Sequence, residues 1–323
     1  NRSYKTQNMS QNNSNDSINT HKNSQTKLRD KRILQIYRKF ENILKLNEDF
    51  IVGVSGGPDS LALCFLSKIY SIKKSCKAYC YIVDHRLRKN SSTEAQSVKK
   101  LLKKHNIKSD ILRWNGKKPI SNIQSLARNK RYSLLINQAK KMNIKTILTG
   151  HHIDDLYENF FIRISRGSGL NGLISFSEKT LGDKVNIVRP LISFEKKHLN
   201  YVTTNVFKSY IEDPSNEDNK FKRVRIRKLI NHLQNDGLDK NKLLLTIKNL
   251  KDSNETIKFY VAKNLKDNSC IYKDKSKIIL NKEFFNQPHE VTFRSLTEII
   301  KFVGNKYYSV RGKKVDTIID KLK

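Results

Sequence analysis

The fold is decided by residues 50–60, which read FIVGVSGGPDS. Residues 50–54 form a short apolar run, as expected of a buried strand in a parallel sheet. The small-residue loop after it consists of Ser55, Gly56, Gly57, Pro58, Asp59 and Ser60. An apolar stretch with helical spacing then runs from Leu61 to about Tyr70. A strand, a glycine-rich loop and a helix in this order predict an α/β fold.

Strands and helices continue to alternate on the C-terminal side of this segment. Apolar runs predict strands at 79–83, 110–114, 146–149 and 186–188, and helical spacing predicts helices at 93–104, 123–142 and 152–165. Strands that alternate with helices usually pair in parallel. We therefore predict a parallel sheet with helices on both faces.

The two ends of the chain differ from this central part. Residues 1–27 are mostly Asn, Ser, Gln and Lys, which predicts a disordered tail. Beyond residue 195 the sequence becomes helical and basic. We expect a nucleotide-binding domain over 28–235, and a helical linker with a small basic C-terminal domain over 236–323. Because the chain begins with Asn1 and its first methionine is Met9, the numbered start need not be the native one.

The charge composition of the chain indicates what class of molecule the protein binds. The chain has 64 Lys and Arg residues against 30 Asp and Glu residues, a formal net charge of +34. Such an excess indicates a polyanionic partner, either a nucleic acid or an anionic membrane surface. No apolar run approaches the roughly 18 residues needed to span a bilayer. The cysteines form no Cys-x-x-Cys pair, and the first residues of the sequence contain no apolar core typical of a signal peptide. We therefore expect reduced thiols in a cytoplasmic protein. The cysteines are Cys64, Cys76, Cys80 and Cys270.

The loop at residues 55–60 is typical of a phosphate site. A helix N-terminus presents unpaired N–H groups, and glycines let the backbone approach an anion closely. The loop lacks the lysine of a Walker A motif and carries Asp59 instead. A carboxylate among phosphates requires a cation between them, most simply Mg²⁺. An ordinary glycine-rich turn is the alternative interpretation.

Residues 55–60 resemble the SGGxDS signature of the N-type ATP pyrophosphatases, whose fold is of the adenine nucleotide alpha hydrolase type. These enzymes cleave ATP between its α and β phosphates and activate a carbonyl oxygen as an adenylate. The resemblance implies that all six loop residues bind ATP, that Asp59 is catalytic, and that Asp59 and Asp154 hold Mg²⁺.

Further segments resemble one branch of that family, the tRNA(Ile)-lysidine synthases. They are VDHRLR at 83–88, LARNKRY at 126–132, TGHHIDDLYE at 149–158, RGSGLNGL at 166–173, RPL at 189–191 and DPSN at 213–216. The resemblance covers about residues 30–235 in the expected order. Asn159 and Val224 stand where that branch usually has threonine and asparagine. We expect the sequence to be too short to include the further C-terminal domain of its longer members.

The resemblance implies a carbon–nitrogen ligase that acts on tRNA. ATP would adenylate the C2 oxygen of the wobble cytidine in an isoleucine tRNA with a CAU anticodon. Free L-lysine would then displace AMP and give lysidine, which changes the specificity from methionine to isoleucine. The implied cofactors are ATP and Mg²⁺. No membrane and no stable protein partner is expected, and a homodimer is left open.

The segment from His151 to Glu158 supplies the other candidate site residues. Asp155 and Glu158 are three residues apart and Asp154 lies beside them, so on a helix they share neighbouring surface. The resemblance implies that Asp155 and Glu158 are catalytic and bind the lysine substrate. An acid cluster that only complements a helix dipole is one alternative. A zinc site that uses His151 and His152 is another.

Basic residues supply the candidate tRNA contacts. They are Arg128, Arg131, Arg223, Arg225 and Arg227. Guanidinium groups bind phosphate bidentately, which suits an RNA backbone. Two rival functions stay open at this point. One is a tRNA thiolase of the same superfamily, which would need catalytic cysteines or an iron–sulfur cluster, and the other is an inactive RNA-binding protein. His85 is a candidate contact for the base, and a solvated loop histidine is the alternative.

Overall fold

The computed structural model describes residues 26–87, 90–116, 123–180, 184–211, 218–272, 277–304 and 312–322. The expected tail up to residue 25, Arg88 and the DPSN motif lie outside the described residues. The chain divides into two compact units. The first extends to Gly167 and continues over Ser175–His232, and the second consists of Ser168–Ile174 and Leu233–Lys323.

Helices and strands alternate through most of the first unit. In chain order they are α1 (Lys31–Leu44), β1 (Phe50–Val54), α2 (Pro58–Lys73), β2 (Ala78–Asp84), α3 (Ser91–Lys104), β3 (Ser109–Arg113), α4 (Ile123–Lys141), β4 (Thr146–Thr149), α5 (Ile153–Ile164), α6 (Leu170–Leu173), β5 (Lys179–Thr180), β6 (Asn186–Val188), α7 (Lys196–Phe207) and α8 (Lys222–Asn235). Of these, α6 belongs to the second unit, and α8 ends in it.

The sheet of the first unit has the strand order β3-β2-β1-β4-β6-β5. The pairs β3–β2, β2–β1, β1–β4 and β4–β6 are all parallel, which confirms the predicted parallel sheet. One correction applies at the edge, where β5 pairs antiparallel with β6 and no strand had been predicted. The strand order reverses between β1 and β4, and open α/β sheets bind ligands at such a point.

Helices cover both faces of this sheet, as predicted. On β1, Phe50, Val52 and Val54 belong to one buried core, which also takes in residues of α1, α2, α3 and α7. Ile51 points to the opposite face, where it shares a core with residues of α4. Successive residues of a strand point to opposite faces, and a strand that is apolar throughout therefore needs cover on both.

The second unit has its own small core. Its further elements are α9 (Lys240–Asn268), β7 (Ser269–Ile271), β8 (Ile278–Leu280), a 3-10 turn (Lys282–Phe284), α10 (His289–Val303) and α11 (Gly312–Leu322). Phe284, Leu296, Val315 and Ile319 are buried together. Strands β7 and β8 pair antiparallel. None of the helices in the described ranges combines the length and the hydropathy that crossing a bilayer requires.

Candidate active site

Two loops meet at the C-terminal ends of β1 and β4, which are neighbouring parallel strands. We call residues 55–60 the glycine loop and residues 150–155 the acidic loop. Gly150 makes their contact possible, because a Cβ on it would lie 3.1 Å from the Ser60 backbone nitrogen and 3.2 Å from the Asp59 carbonyl. A side chain at this position would press on the glycine-loop backbone, which would have to shift by a few tenths of an ångström.

The glycine loop is held by its last residue and leaves the start of α2 uncapped by side chains. The Ser60 Oγ accepts hydrogen bonds from the backbone N–H groups of Ser55 (3.2 Å) and Gly56 (3.1 Å). Gly56 has a φ of 88° and would place a Cβ 2.5 Å from a Val98 methyl group, so only glycine fits there. Gly57 precedes α2 without a side-chain capping bond. The N-terminus of α2 therefore suits an anion.

Asp59 lies in the first turn of α2. Its Oδ2 atom is 3.5 Å from the Nε2 of His152. Its Oδ1 atom is buried and has no hydrogen-bond partner among the residues that the structure describes. A buried carboxylate oxygen without a partner is costly, and a cation bound there would remove the cost. The donor chemistry at Asp59 therefore fits a hard metal ion such as Mg²⁺.

His152 is the centre of the acidic loop and caps α5. In the neutral ring its Nδ1 accepts a hydrogen bond from the Asp154 N–H, and Asp155 accepts one from the His152 N–H, which forms a capping box. Burial by itself would lower the pKa of His152, but Asp59 and the two neighbouring carboxylates outweigh burial and raise the pKa above its ordinary 6.5. The sequence placed His152 only in a zinc alternative, and its position between three carboxylates was missed.

His151 differs sharply from its neighbour. Its Nδ1 lies 2.9 Å from the Thr149 Oγ1, and its Nε2 lies 3.4 Å from the Arg128 Nη1. Burial lowers the pKa of His151 to about 3, and the ring is therefore neutral. Because an arginine only donates, Nε2 accepts and the ring proton resides on Nδ1.

The alternative of a zinc site finds no support in the described part of the chain. Each ring nitrogen of His151 and His152 already faces a protein group. No group of three or more His, Cys, Asp or Glu side chains in the described ranges is arranged to hold a metal ion.

The carboxylates of α5 meet two arginines of α8. Arg223 Nη1 lies 3.2 Å from Asp155 Oδ1, and Arg227 Nε lies 2.8 Å from Glu158 Oε1. Glu158 Oε2 is buried and makes no hydrogen bond within the described part of the chain, and Arg223 Nη1 lies 3.8 Å from it. For Asp155, burial opposes ionisation, but the charges of His152 and Arg223 prevail and lower its pKa. For Glu158, burial prevails over Arg227 and raises its pKa.

The structure thus gathers most of the predicted residues at one edge of the sheet. Arg128 interacts electrostatically with Asp155 and Arg223, and Arg131 lies one turn further along α4. Arg225 is the exception, because its guanidinium donates to the backbone carbonyls of Asn219 (3.0 Å) and Lys220 (3.1 Å). The i, i+4 spacing of Arg223 and Arg227 is the signal that could have predicted a shared face without Arg225.

Several known proteins are similar to most of this chain. Residues 26–233 match the PP-loop domain family. The tRNA(Ile)-lysidine synthase of Bradyrhizobium diazoefficiens is 30% identical over 285 residues, which cover 85% of this chain and 78% of that protein. The chain belongs to the tRNA(Ile)-lysidine synthase family of PP-loop proteins.

Two further members of this family show how much of the relatives' length the chain spans. The tRNA(Ile)-lysidine synthase of Wolbachia sp. subsp. Brugia malayi is 32% identical over 280 residues, covering 85% of this chain and 64% of the relative. That of Rhodopseudomonas palustris is 37% identical over 196 residues, covering 60% of this chain and 57% of the relative. The chain therefore spans about three fifths of the length of these two synthases.

A solved structure shares the fold. The U34-tRNA thiolase NcsA from Methanococcus maripaludis, a protein with a [4Fe-4S] cluster, aligns with a TM-score of 0.58 at 16% sequence identity. The alignment covers 68% of this chain and 78% of the thiolase. In this synthase-family chain, Cys64 and Cys80 are buried in the core and all four cysteines are free thiols. None of the four belongs to the glycine loop or the acidic loop.

Proposed function

We propose that this protein is an ATP-dependent ligase that joins lysine to C2 of the wobble cytidine of an isoleucine tRNA with a CAU anticodon. One observation carries the proposal. A helix N-terminus suited to phosphate and a set of carboxylates suited to an ammonium group meet at one sheet edge, with Gly150 in contact with the glycine loop. ATP and a cationic nucleophile can therefore reach the same acceptor atom.

ATP is assigned to the glycine loop. Residues Ser55, Gly56, Gly57, Pro58, Asp59 and Ser60 surround the start of α2, where backbone N–H groups and the helix dipole favour the phosphates. Mg²⁺ in such sites is usually held by one or two carboxylates together with substrate phosphates. Asp59, with its unpartnered Oδ1, and Asp154 would hold it here. The ion would neutralise charge on the phosphates.

The lysine substrate is assigned to Asp155 and Glu158. The buried Oε2 of Glu158 has no hydrogen bond to any of the described residues and can accept one from an ammonium group. Arg223 and Arg227 pair with these carboxylates in the structure. In this proposal they neutralise the carboxylates before substrates bind, and they turn towards phosphate when the lysine ammonium replaces them.

The proposed reaction has two steps. The C2 oxygen of cytidine attacks the α-phosphorus of ATP, and pyrophosphate leaves. The ε-amine of lysine, after it loses a proton, attacks C2, and AMP leaves with the former C2 oxygen. Burial raises the pKa of Glu158, which makes Glu158 the better proton acceptor of the two carboxylates. Asp155, with a lowered pKa, stays charged and orients the ammonium group.

The tRNA is assigned to basic surfaces on both units. Arg128, Arg131 and Arg225 supply guanidinium groups in the first unit, in addition to Arg223 and Arg227. The net charge of +34 favours binding of a polyanion as a whole. Since its substrates would be tRNA, ATP and free lysine, we place the enzyme in the cytoplasm, and we propose no stable protein partner.

The test is a direct assay of the product. Purified protein would be incubated with ATP, Mg²⁺, lysine and a CAU isoleucine tRNA, and the nucleosides of the tRNA analysed by mass spectrometry. We expect a lysine-dependent increase in the mass of one cytidine, together with pyrophosphate release. The matched control is the same tRNA with uridine at the wobble position. Pyrophosphate release without any lysine adduct would contradict the proposal.

A further inference from the structure

A buried arginine stands behind the candidate site. Arg189 follows β6 and is only 6% exposed. Its Nη1 donates to the Ser177 carbonyl (2.9 Å) and to the Thr180 Oγ1 (2.8 Å). Among the described residues, its guanidinium therefore donates only to neutral oxygens, whereas a buried arginine is usually paired with an acid. Burying a guanidinium without an acidic partner costs free energy, which suggests that Arg189 has a further role.

The guanidinium of Arg189 also lies over an aromatic ring. Its Cζ is 4.7 Å from the ring centroid of Phe176, a buried residue. Cations are attracted to ring faces at this distance, most strongly where water is excluded. The planar guanidinium therefore fixes the tilt of the Phe176 ring as well as its position.

Phe176 in turn packs against His151. The two ring centroids are 5.3 Å apart with an interplanar angle of 81°, an edge-to-face arrangement. On its other sides the imidazole meets Thr149 and Arg128 through its two nitrogens. The Nη2 of Arg128 also donates to the Tyr132 hydroxyl (3.3 Å), so the guanidinium is held at two points.

These contacts form one continuous series from a buried charge to the site. We propose that Arg189 is a positioning residue, which through the ring of Phe176 fixes the imidazole of His151 and thereby the guanidinium of Arg128 beside the acidic loop. The consequence for function rests on the proposed ligase activity, in which Arg128 faces tRNA phosphate. A displaced guanidinium lowers the rate because substrate misplacement of about 1 Å can cost about 100-fold.

The protonation state of His151 supports this chain of contacts. Arg128 needs a lone pair on Nε2, and only a neutral ring provides one. Burial lowers the pKa of His151 to about 3. The charge of Asp155 opposes this shift, whereas the charges of Arg128, Arg189 and Arg223 act in the same direction as burial. Loss of Arg189 or loosening of Phe176 would therefore raise the pH at which His151 takes up a proton, and the contact with Arg128 would then break.

The first experiment measures the protonation of His151 by NMR in the absence of any substrate. Histidine side chains labelled with ¹⁵N would be titrated by NMR between about pH 4 and pH 8, with the His151 signals assigned from a His151→Gln sample. In the unaltered protein His151 should stay neutral throughout. We expect Arg189→Met and Phe176→Leu to make it titrate within this range, and Phe176→Tyr, which keeps the ring, to restore the original behaviour. Arg38→Met, at an exposed position on α1, is the matched control.

Steady-state kinetics provide the second measurement. Arg189→Met and Phe176→Leu should lower kcat of the ligase by about 10- to 100-fold with little change in the KM for ATP. If either variant fails to fold, Arg189→Lys is measured in its place. Lysine keeps the positive charge but lacks the planar guanidinium, so we expect changes in kcat and in the His151 titration that are smaller than those of Arg189→Met.

A purely structural role would lower the melting temperature of the variants while His151 and kcat of the folded protein stayed unchanged. That outcome would overturn the proposal. Failure of the ligase activity itself is a separate result, because the NMR titration needs neither ATP nor tRNA.

Discussion

The glycine loop and the acidic loop are two versions of the same strand–loop–helix unit. Each follows a buried parallel strand, and each opens a helix with acid in its first turn, one residue in α2 and two in α5. They differ in how the helix is capped. Gly57 offers no side chain to the backbone N–H groups at the start of α2, whereas the side chains of His152 and Asp155 accept hydrogen bonds from backbone N–H groups at the start of α5. The capping residue thus decides whether the unit suits an anion or a cation.

The largest effect should follow from removing the one carboxylate of the glycine loop. Asp59→Ala should lower ATP–pyrophosphate exchange in the presence of tRNA by about 100-fold or more, because an organised electrostatic group at the phosphates is lost. The fold should persist, and Asp320→Ala on the exposed face of α11 is a suitable control. Exchange near the original rate in a folded Asp59→Ala protein would remove Asp59 from the catalytic site.

The second prediction concerns the contact between the glycine loop and the acidic loop at Gly150. Gly150→Ala should destabilise the protein by about 1–3 kcal/mol, because the new Cβ would lie 3.1 Å from the Ser60 nitrogen in a packed region. The Asp59–His152 contact should lengthen and exchange activity should fall. Gly169→Ala is the matched control, since nothing lies within 4 Å of a Cβ there. Equal melting temperatures of the two variants would show that the loops are not in firm contact.

The third prediction tests whether Glu158, on the helix that follows the acidic loop, binds the ammonium group of lysine. Glu158→Gln keeps the shape of the side chain and removes its charge. A lost charge-assisted hydrogen bond is worth roughly 1.5–3 kcal/mol, which corresponds to an increase of about 10- to 150-fold in the KM for lysine. The KM for ATP and the affinity for tRNA should change less. If the KM for ATP rises while that for lysine stays constant, the carboxylate serves the metal and not the amino acid.

The fourth prediction uses the two adjacent histidines, whose pKa values are shifted in opposite directions. The raised pKa of His152 means that its stabilisation is complete below about pH 6.5 and is lost as the pH rises through its folded value. The pKa of His151, lowered to about 3, means that folding stability falls as the pH drops below about 6.5. His152→Gln should therefore destabilise most at low pH, and His151→Gln should reduce the acid sensitivity.

Urea unfolding of the two histidine variants between about pH 5 and pH 8.5 measures these trends. The free energy of unfolding of each variant, relative to the unaltered protein, should change with pH in opposite directions. Parallel pH profiles for the two variants would mean that the two rings share one environment.

The smallest effect is expected from a deletion far from either loop in sequence. Removal of residues 1–25, which are almost devoid of apolar side chains, should change the melting temperature by less than about 2 °C. The deletion leaves Lys27, which donates to the Asn205 carbonyl at 2.8 Å. Calorimetry of the shortened protein gives the answer, and a fall of many degrees would show that the tail packs.

Much of the fold could be predicted because buried strands leave a clear pattern. Strands β1 to β4 lie within one residue of their predicted bounds, since each is an apolar run between turn residues. The predicted start of α2 was three residues late, because Pro58 already occupies its first turn. The pattern could not reveal β5, since Lys179 and Thr180 are both exposed and their strand exists only through pairing with β6.

The candidate site was predictable only in part. The i, i+3 spacing of Asp155 and Glu158 places both carboxylates on one helix surface, and this could be inferred locally. Their arginine partners could not, because Arg223 is 68 residues away from Asp155 along the chain. The role of Phe176 left no signal at all, since a lone phenylalanine in a loop is equally typical of ordinary core packing.

The edges of the sheet have a consequence for how the chain behaves at high concentration. An exposed edge strand is a template on which another molecule can add a strand, and aggregation often begins there. Here one edge is β5, which is only two residues long and carries a lysine. The other edge, β3, displays Asp110 and Arg113 at exposed positions. Both edges are therefore poor templates, and the folded sheet is protected against growth into intermolecular β-structure.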